Sequence, residues 1–221
     1  MEPDFWHERW RAGQIGFHQD EINPYLMQFW SRTQADPNQA VLVPLCGKSQ
    51  DMLWLQAQAH AVIGVELSPL AVKDFFENNQ LPAEHDKVMG FDRSQYGSIQ
   101  ILCGDFFDLT KTTQLLVNDI SLVYDRASLI ALPPPMRQKY AQHMTQLLSS
   151  GARILLLTLE YPPHQMDGPP FSVDEQEIRQ LYAEFFDIEK LGAEDTLEKN
   201  EKFKERGISE MFESSYLLTK R

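Results

Sequence analysis

Residues 41–49 read VLVPLCGKS, and residues 61–66, AVIGVE, follow after a short helix-like stretch. Each is an apolar strand-like run. The first breaks into a turn carrying Gly47, Lys48 and Ser49, and the second ends on Glu66. GKS is the tail of a triphosphate-binding loop, but that loop needs a glycine five positions before Gly47 so that backbone amides can wrap the phosphates. That position is Leu42, inside the strand. A dinucleotide turn needs three spaced glycines for the turn, the pyrophosphate approach and the helix packing. Only Gly47 is present, with Leu45 and Ser49 at the neighbouring alternate positions. The turn argues against a pyrophosphate and leaves room for a smaller ligand over the strand end.

The same kind of run recurs at 99–103 (IQILC), 120–125 (ISLVYD) and 152–159 (ARILLLTL). With 40–44 and 61–66 these predict five strands, and nearly continuous apolar character is what parallel strands covered on both faces require. Helix-like stretches fall at Gln50–Ala59, Pro69–Asn79, Pro135–Leu148 and Val173–Phe185. Ser68-Pro69 supplies a cap and a first-turn proline, and Gly151 suits the end of the third helix. This alternation predicts an open, doubly wound α/β sheet. In the tail, FDIEKLGAED and ISEMFESSYLLTK predict two longer strands around a loop at Lys199–Gly207, with no helix between them, as an antiparallel pair at one sheet edge. The first 39 residues carry Phe5, Trp6, Trp10, Phe17, Tyr25, Phe29 and Trp30 and predict helices packed over the sheet or a lid over its pocket. The chain reads as one domain, with 1–39 as the lid segment and 40–221 as the α/β core.

Composition narrows the partners. Lys plus Arg is 20 against 32 Asp plus Glu, a formal charge of −12. A protein that neutralises many phosphates carries the opposite balance, so no nucleic acid is expected. The opening MEPDFWHERWRAG lacks the apolar stretch of a signal peptide, and the longest apolar run, ILLL at 154–157, is too short for a bilayer. No membrane association is expected, and a cytoplasmic location follows as the default. Six scattered histidines and two cysteines show no zinc-ligand spacing, so no metal is expected. Cys46 and Cys103 end strands separated by another strand, about 9.6 Å apart by strand spacing, beyond the roughly 7 Å Cα limit of a disulfide. Neither has a His–acid constellation to make it a nucleophile.

The strand ends hold the candidate chemistry. Glu66 lies roughly twenty residues beyond Gly47, the spacing at which an acid meets ribose hydroxyls in doubly wound folds. A carboxylate there accepts from both hydroxyls of a diol; the plain structural alternative is a solvated acid at a strand end. LCGDFFDL places Asp105 where it can accept from an adenine amino group, with Phe106 to pack on the ring. YDR ends the fourth strand with Asp125 and Arg126, which read either as an ion pair or as part of the ligand edge. A ligand with ribose and adenine but no pyrophosphate fits S-adenosylmethionine better than NAD or ATP.

LVPLCGKSQDMLWL followed by VIGVELSPLAV resembles the thiopurine S-methyltransferase family, especially its bacterial members. FWHERWRAGQIGFHQ, DRASLIALPP and FESSYLLTKR are similar as well, so the resemblance runs from about residue 4 to the last residue. It implies a class I methyltransferase fold: a seven-stranded, mostly parallel sheet with one antiparallel strand near the C-terminus. The family replaces the first glycine of the superfamily turn by leucine, here Leu45. By that resemblance Trp10, Leu45, Glu66 and Arg126 contact or surround S-adenosylmethionine, the Trp6–Phe17 stretch folds over it, and Asp105 and Phe106 border the adenine beside the Gly47 turn. Phe17 lines the acceptor pocket, and Arg126 lies between cofactor and acceptor. A basic residue before the final strand faces the acceptor in some members; Lys202, Lys204 and Arg206 compete for that role, with Lys202 the candidate for substrate binding.

The activity implied is transfer of a methyl group to the sulfur of thiopurines or aromatic thiols, or to selenium or tellurium compounds, leaving S-adenosylhomocysteine. A soft sulfur nucleophile needs alignment more than a strong base, and closure of the aromatic segment excludes water. Arg126 favours the thiolate or carries its proton away through water, with Asp125 orienting Arg126. A monomer is the family default. A non-catalytic S-adenosylmethionine-binding regulatory protein is the alternative from another class. A NAD-linked oxidoreductase is disfavoured by the absent glycines, and a nucleic-acid methyltransferase by the charge and by DRAS where an Asn/Asp-Pro-Pro-aromatic turn is needed.

Overall fold

Val41, Leu42 and Val43 offer water no polar side chain, and all three are buried in β1 (Ala40–Pro44) of a computed structural model that describes residues 3–37, 39–112 and 120–221. Met1, Glu2 and Asn38 of the proposed lid segment lie outside the described residues. The chain divides into two compact units, Met1–Tyr124 and Asp125–Arg221. Among the described residues there are seven α-helices.

The first unit contains α1 (Pro3–Arg11), α2 (Pro24–Phe29), β1, α3 (Asp51–Ala57), β2 (Ala61–Glu66) and α4 (Pro69–Asn78). It continues with β3 (Glu84–Val88), β4 (Phe91–Tyr96), β5 (Ile99–Cys103) and β6 (Ile120–Arg126), whose last two residues begin the second unit. The strand order is β3-β4-β5-β2-β1-β6. β1 runs parallel to β2, from Ala40 opposite Ala61 to Pro44 opposite Val65, and parallel to β6. β2 runs parallel to β5. This register brings the turn after β1, Glu66 and the turn after β5 to one edge. β1 is buried throughout, β2 over its last five residues and β5 over its first four, as a strand covered on both faces must be. The Ser68-Pro69 start is present: the Ser68 hydroxyl accepts from the Ala71 amide at 3.3 Å and Pro69 opens α4.

The second unit contains α5 (Pro134–Leu147), β7 (Arg153–Glu160), α6 (Glu175–Tyr182), β8 (Phe186–Asp195), α7 (Glu201–Glu205) and β9 (Phe212–Lys220). Its order is β7-β9-β8, antiparallel throughout, with β8 outermost.

The class I methyltransferase fold is present, with parallel strands in the first unit and the antiparallel pair at the C-terminus. Three details differ from expectation. Among the described residues the strands number nine rather than seven, because β3 and β4 add a hairpin. Its two-residue turn is Met89-Gly90, both at positive φ (47° and 92°), the backbone of a type I′ turn that is usually signalled by Asn-Gly. β3 (EHDKV) is mostly exposed and carries no apolar alternation, so nothing in the sequence marks it. The 199–207 loop contains the short helix α7, which covers a cluster of Leu159, Tyr161, Leu197, Ile208 and Met211 through Phe203. Gly151 does not end α5, which closes on an extended Leu148; it turns the chain into β7 at φ 83° and donates to the Lys220 carbonyl at 2.8 Å.

Candidate active site

The turn after β1 keeps a glycine-like backbone without the glycine. Leu45 sits at φ 44° and Gly47 at φ 53°, and the left-handed region costs a non-glycine residue about 1 kcal/mol or more. The surroundings hold that strain. The Cys46 amide donates to the Val65 carbonyl at 3.0 Å, and the Gly47 amide donates to Glu66 Oε2 at 2.8 Å. Glu66 Oε1 accepts from the Ser68 amide at 2.7 Å. One carboxylate thus clamps the ends of β1 and β2 to the start of α4. Burial pushes its pKa above the usual carboxylate range, and the amides of Ser68, Gly47 and Leu67 pull it back. Two carboxylate oxygens offer about four lone-pair sites; with the amides of Ser68, Gly47 and Leu67 directed at them, acceptor capacity remains for a ribose hydroxyl.

The N-terminal segment covers this turn. A Cβ on Gly47 would lie 3.2 Å from Cζ2 of Trp10, so the buried indole lies directly over the glycine. Phe17 packs edge-on against Trp10 (5.6 Å between centroids) and Trp6 (5.9 Å). Lys48 belongs to this turn through an ion pair, its Nζ 3.9 Å from Asp74 of α4. The lysine of GKS therefore ties the turn to a helix.

Asp105 caps the short 3-10 turn 106–108, accepting from the Phe107 amide at 2.9 Å, and the Gly104 amide donates to the Glu66 carbonyl at 2.9 Å. Phe106, expected to border the adenine, is 1% exposed and stands edge-on to Phe107. Half-buried Phe107 is the aromatic with accessible surface at this strand end. Both thiols are free and held protonated at neutral pH. Burial, then Glu66, pushes Cys46 well up, and the same causes bring Cys103 to about 11.

Asp125 and Arg126 belong to the second unit. Asp125, expected to orient Arg126, accepts at Oδ2 from the Tyr140 hydroxyl at 2.7 Å and at Oδ1 from the Leu129 amide at 3.4 Å. Asp125 is 1% exposed, and burial raises its pKa to about 6 against the bonds from Tyr140, Leu129 and Ser128. A buried carboxylate needs donors, and it finds them in its own core, so it holds the backbone that carries Arg126. Of the three cations near β9, Lys202 is exposed, Lys204 pairs with Glu198, and the Arg206 guanidinium lies 3.4 Å from Met166 Sδ and 5.9 Å from the Phe203 ring. Among the described residues no group of three or more His, Cys, Asp or Glu is placed to hold a metal.

The profile of the thiopurine S-methyltransferase family matches residues 1–221. The chain belongs to the thiopurine S-methyltransferase family. A thiopurine S-methyltransferase of Nitrosospira multiformis is 48% identical over 221 residues, covering 100% of this chain and 99% of the relative. One of Pseudomonas aeruginosa is 49% identical over 218 residues, with 99% of each chain covered. Among solved structures, Burkholderia thailandensis 1,6-didemethyltoxoflavin-N1-methyltransferase, with bound 1,6-didemethyltoxoflavin and S-adenosylhomocysteine, aligns with TM-score 0.63 at 14% identity over 99% of this chain and 87% of that one. A protein solved in work on the conversion of a disulfide bond into a thioacetal group during echinomycin biosynthesis aligns with TM-score 0.66 at 16% identity, over 99% and 92%. At such identities these two carry the fold alone.

As a member of the thiopurine S-methyltransferase family the chain is an S-adenosylmethionine-dependent methyltransferase, and the cradle suits that group. A left-handed turn without room for a pyrophosphate, an acid with spare acceptors and a capped turn after β5 form one edge of the first unit. The pairing of Asp51 with the chain 28 residues before it had no sequence signal.

Proposed function

We propose that the chain methylates the sulfur of thiopurines or related aromatic thiols, and that selenium or tellurium compounds are taken by the same soft-nucleophile chemistry. When bound, S-adenosylmethionine supplies an electrophilic methyl carbon. Glu66 would hold its ribose and Asp105 its adenine amino group, with Leu45, Gly47 and Trp10 around the rest. Trp6, Trp10 and Phe17 exclude water from the turn, and Phe17 borders the acceptor. Arg126 stabilises the acceptor's thiolate, Asp125 positions the backbone that carries Arg126, and the basic loop with Lys202 and Arg206 meets the acceptor's outer edge.

One observation supports this reading above the others. Of the ionisable groups at the strand ends, both thiols keep their protons, Asp125 accepts from Tyr140 and Leu129, and Glu66 and Asp105 are the groups assigned to the cofactor. An acceptor that ionises by itself near neutral pH fits such a site, and an aromatic thiol does so.

The test is transfer of labelled methyl from S-adenosylmethionine to 6-mercaptopurine, with a selenium acceptor in parallel. Transfer to 6-mercaptopurine upholds the proposal, and the ratio of rates ranks the acceptors. Saturable cofactor binding without transfer to either removes this acceptor class. Arg126→Ala is expected to lower acceptor turnover by about 10²-fold or more, as loss of an electrostatic partner does; unchanged turnover removes the assignment of Arg126.

A further inference from the structure

Asp51 opens α3 just behind the cofactor turn and is 1% exposed, yet nothing derived above uses it. Its Oδ1 accepts from the Asn23 backbone amide at 2.8 Å, and its Oδ2 accepts from the Tyr124 hydroxyl at 3.0 Å. Its own amide donates to the Ser49 hydroxyl at 3.2 Å, inside the turn that follows Gly47. Asn23 is the cap of α2: its Oδ1 accepts from the Tyr25 amide at 2.9 Å, and its Nδ2 donates to Gln19 Oε1 at 3.3 Å. Gln19 lies two residues beyond Phe17, in the segment that covers Gly47. Tyr124 is 1% exposed in β6. One buried side chain therefore joins three pieces of the first unit: the aromatic cover through Asn23, the cofactor-turn helix through its own backbone, and β6 through Tyr124.

The residue type is informative. A buried carboxylate is expensive unless its oxygens are hydrogen-bonded, and bonds to an ionised acceptor are roughly twice as strong as neutral ones. An asparagine could accept from Asn23 only through its amide oxygen and would have to donate to the Tyr124 hydroxyl through its amide nitrogen, so both bonds would become neutral and weaker. We infer that Asp51 is a positioning residue that couples the aromatic cover to the S-adenosylmethionine turn, so that the cover closes only when the turn is in its binding conformation. This rests on the reading that the cofactor lies at the Gly47 turn beneath Trp10. Residues 3–33 meet the turn mainly through ring contacts, which are non-directional. The Asp51 bonds supply a directional link between cover and turn, beside the bond that the Trp30 indole donates to His60 Nε2 at 3.2 Å.

Two variants and their combination test this: Asp51→Asn, Tyr124→Phe and the double variant. Arg137→Met, which breaks a buried ion pair with Glu177 in the second unit, serves as a destabilised comparison. Amide hydrogen exchange of residues 3–33 is measured with and without S-adenosylhomocysteine, together with the dissociation rate of that ligand. Asp51→Asn is expected to speed exchange of 3–33 and ligand release by about tenfold, the size of one lost charge-assisted bond. Tyr124→Phe keeps the Asn23 bond and is expected to do less, and the double variant to fall short of the product of the two. Should Asp51→Asn fail to fold, Tyr124→Phe carries the same comparison. Exchange and release no faster than in Arg137→Met at a matched loss of melting temperature overturn the coupling and leave Asp51 a general stabiliser. Wild-type protein that binds no S-adenosylhomocysteine overturns the cofactor reading as well, so the two failures are distinct.

Discussion

At Leu45 a branched side chain occupies a backbone conformation that glycine prefers, with φ 44°. A β-branched residue tolerates that region worst. Leu45→Val is therefore expected to cost about 1–3 kcal/mol, read as a lowered denaturant midpoint, while Leu45→Gly keeps S-adenosylhomocysteine affinity within a few-fold by calorimetry. Asp125 makes a second residue-level test. Its folded pKa of about 6 lies above the ordinary 3.8, so the folded state holds this proton more tightly than the unfolded state. The associated stability is complete below the ordinary value and is lost as pH rises through about 6. Between pH 3 and pH 7 the wild type should lose about 3 kcal/mol relative to Asp125→Asn, from 1.36 kcal/mol per pKa unit, measured by urea unfolding at each pH. A difference that does not change with pH would mean that Asp125 is not buried as described.

Among the elements, α7 brings the three cations near β9 into different surroundings. Lys204 is engaged with Glu198, Lys202 faces solvent, and Arg206 reaches Met166 beside the Tyr161 cluster. Exposed charges contribute little to binding because water screens them. Arg206 is exposed as well, but its guanidinium is held against Met166 and Phe203; Arg206→Ala is expected to raise the acceptor KM several-fold, roughly 1 kcal/mol, and Lys202→Ala, at a side chain that faces solvent, less than twofold, both with kcat nearly unchanged in steady-state assays. The reverse order would make Lys202 the acceptor's partner. In the first unit, the β3–β4 hairpin extends the sheet beyond β5: Met89 at its tip is 57% exposed, and Phe91 at the start of β4 packs on Gly104 in the turn after β5.

For the whole chain, the cofactor's grip should appear as stability. A ligand that binds only the folded state adds about 2.7 kcal/mol at a hundred times its Kd. For a chain of 221 residues this is a rise of roughly 5–11 °C in melting temperature at 2–4 °C per kcal/mol, measured by calorimetry with S-adenosylhomocysteine. ATP and NAD at equal concentration should give no such shift, because the turn lacks the glycines that admit a pyrophosphate. The formal charge of −12 opposes accumulation of nucleic acid at the surface. Among the described residues no helix is long and apolar enough to cross a membrane.

What the sequence determined by itself is what depends on near neighbours. Continuous apolar runs specify strands buried on both faces, so 40–44, 61–66 and 99–103 were legible to the residue. Ser68-Pro69 specifies a helix start through one hydroxyl and one ring, and Glu66 lies at the end of a strand whose parallel partner carries Gly47. What only the tertiary structure decided is which way a side chain turns once the strand has ended, and which distant group it meets. Phe106 goes into the core and leaves Phe107 outside, because the 3-10 turn capped by Asp105 rotates them apart. Asp125 finds Tyr140, 15 residues further on, because burial rewards a carboxylate for reaching a donor in the core. Asp51 joins residues 28 positions before it and 73 after it. Hydrophobic periodicity is written along the chain, whereas the partners of buried polar groups are chosen only when the sheet brings them together.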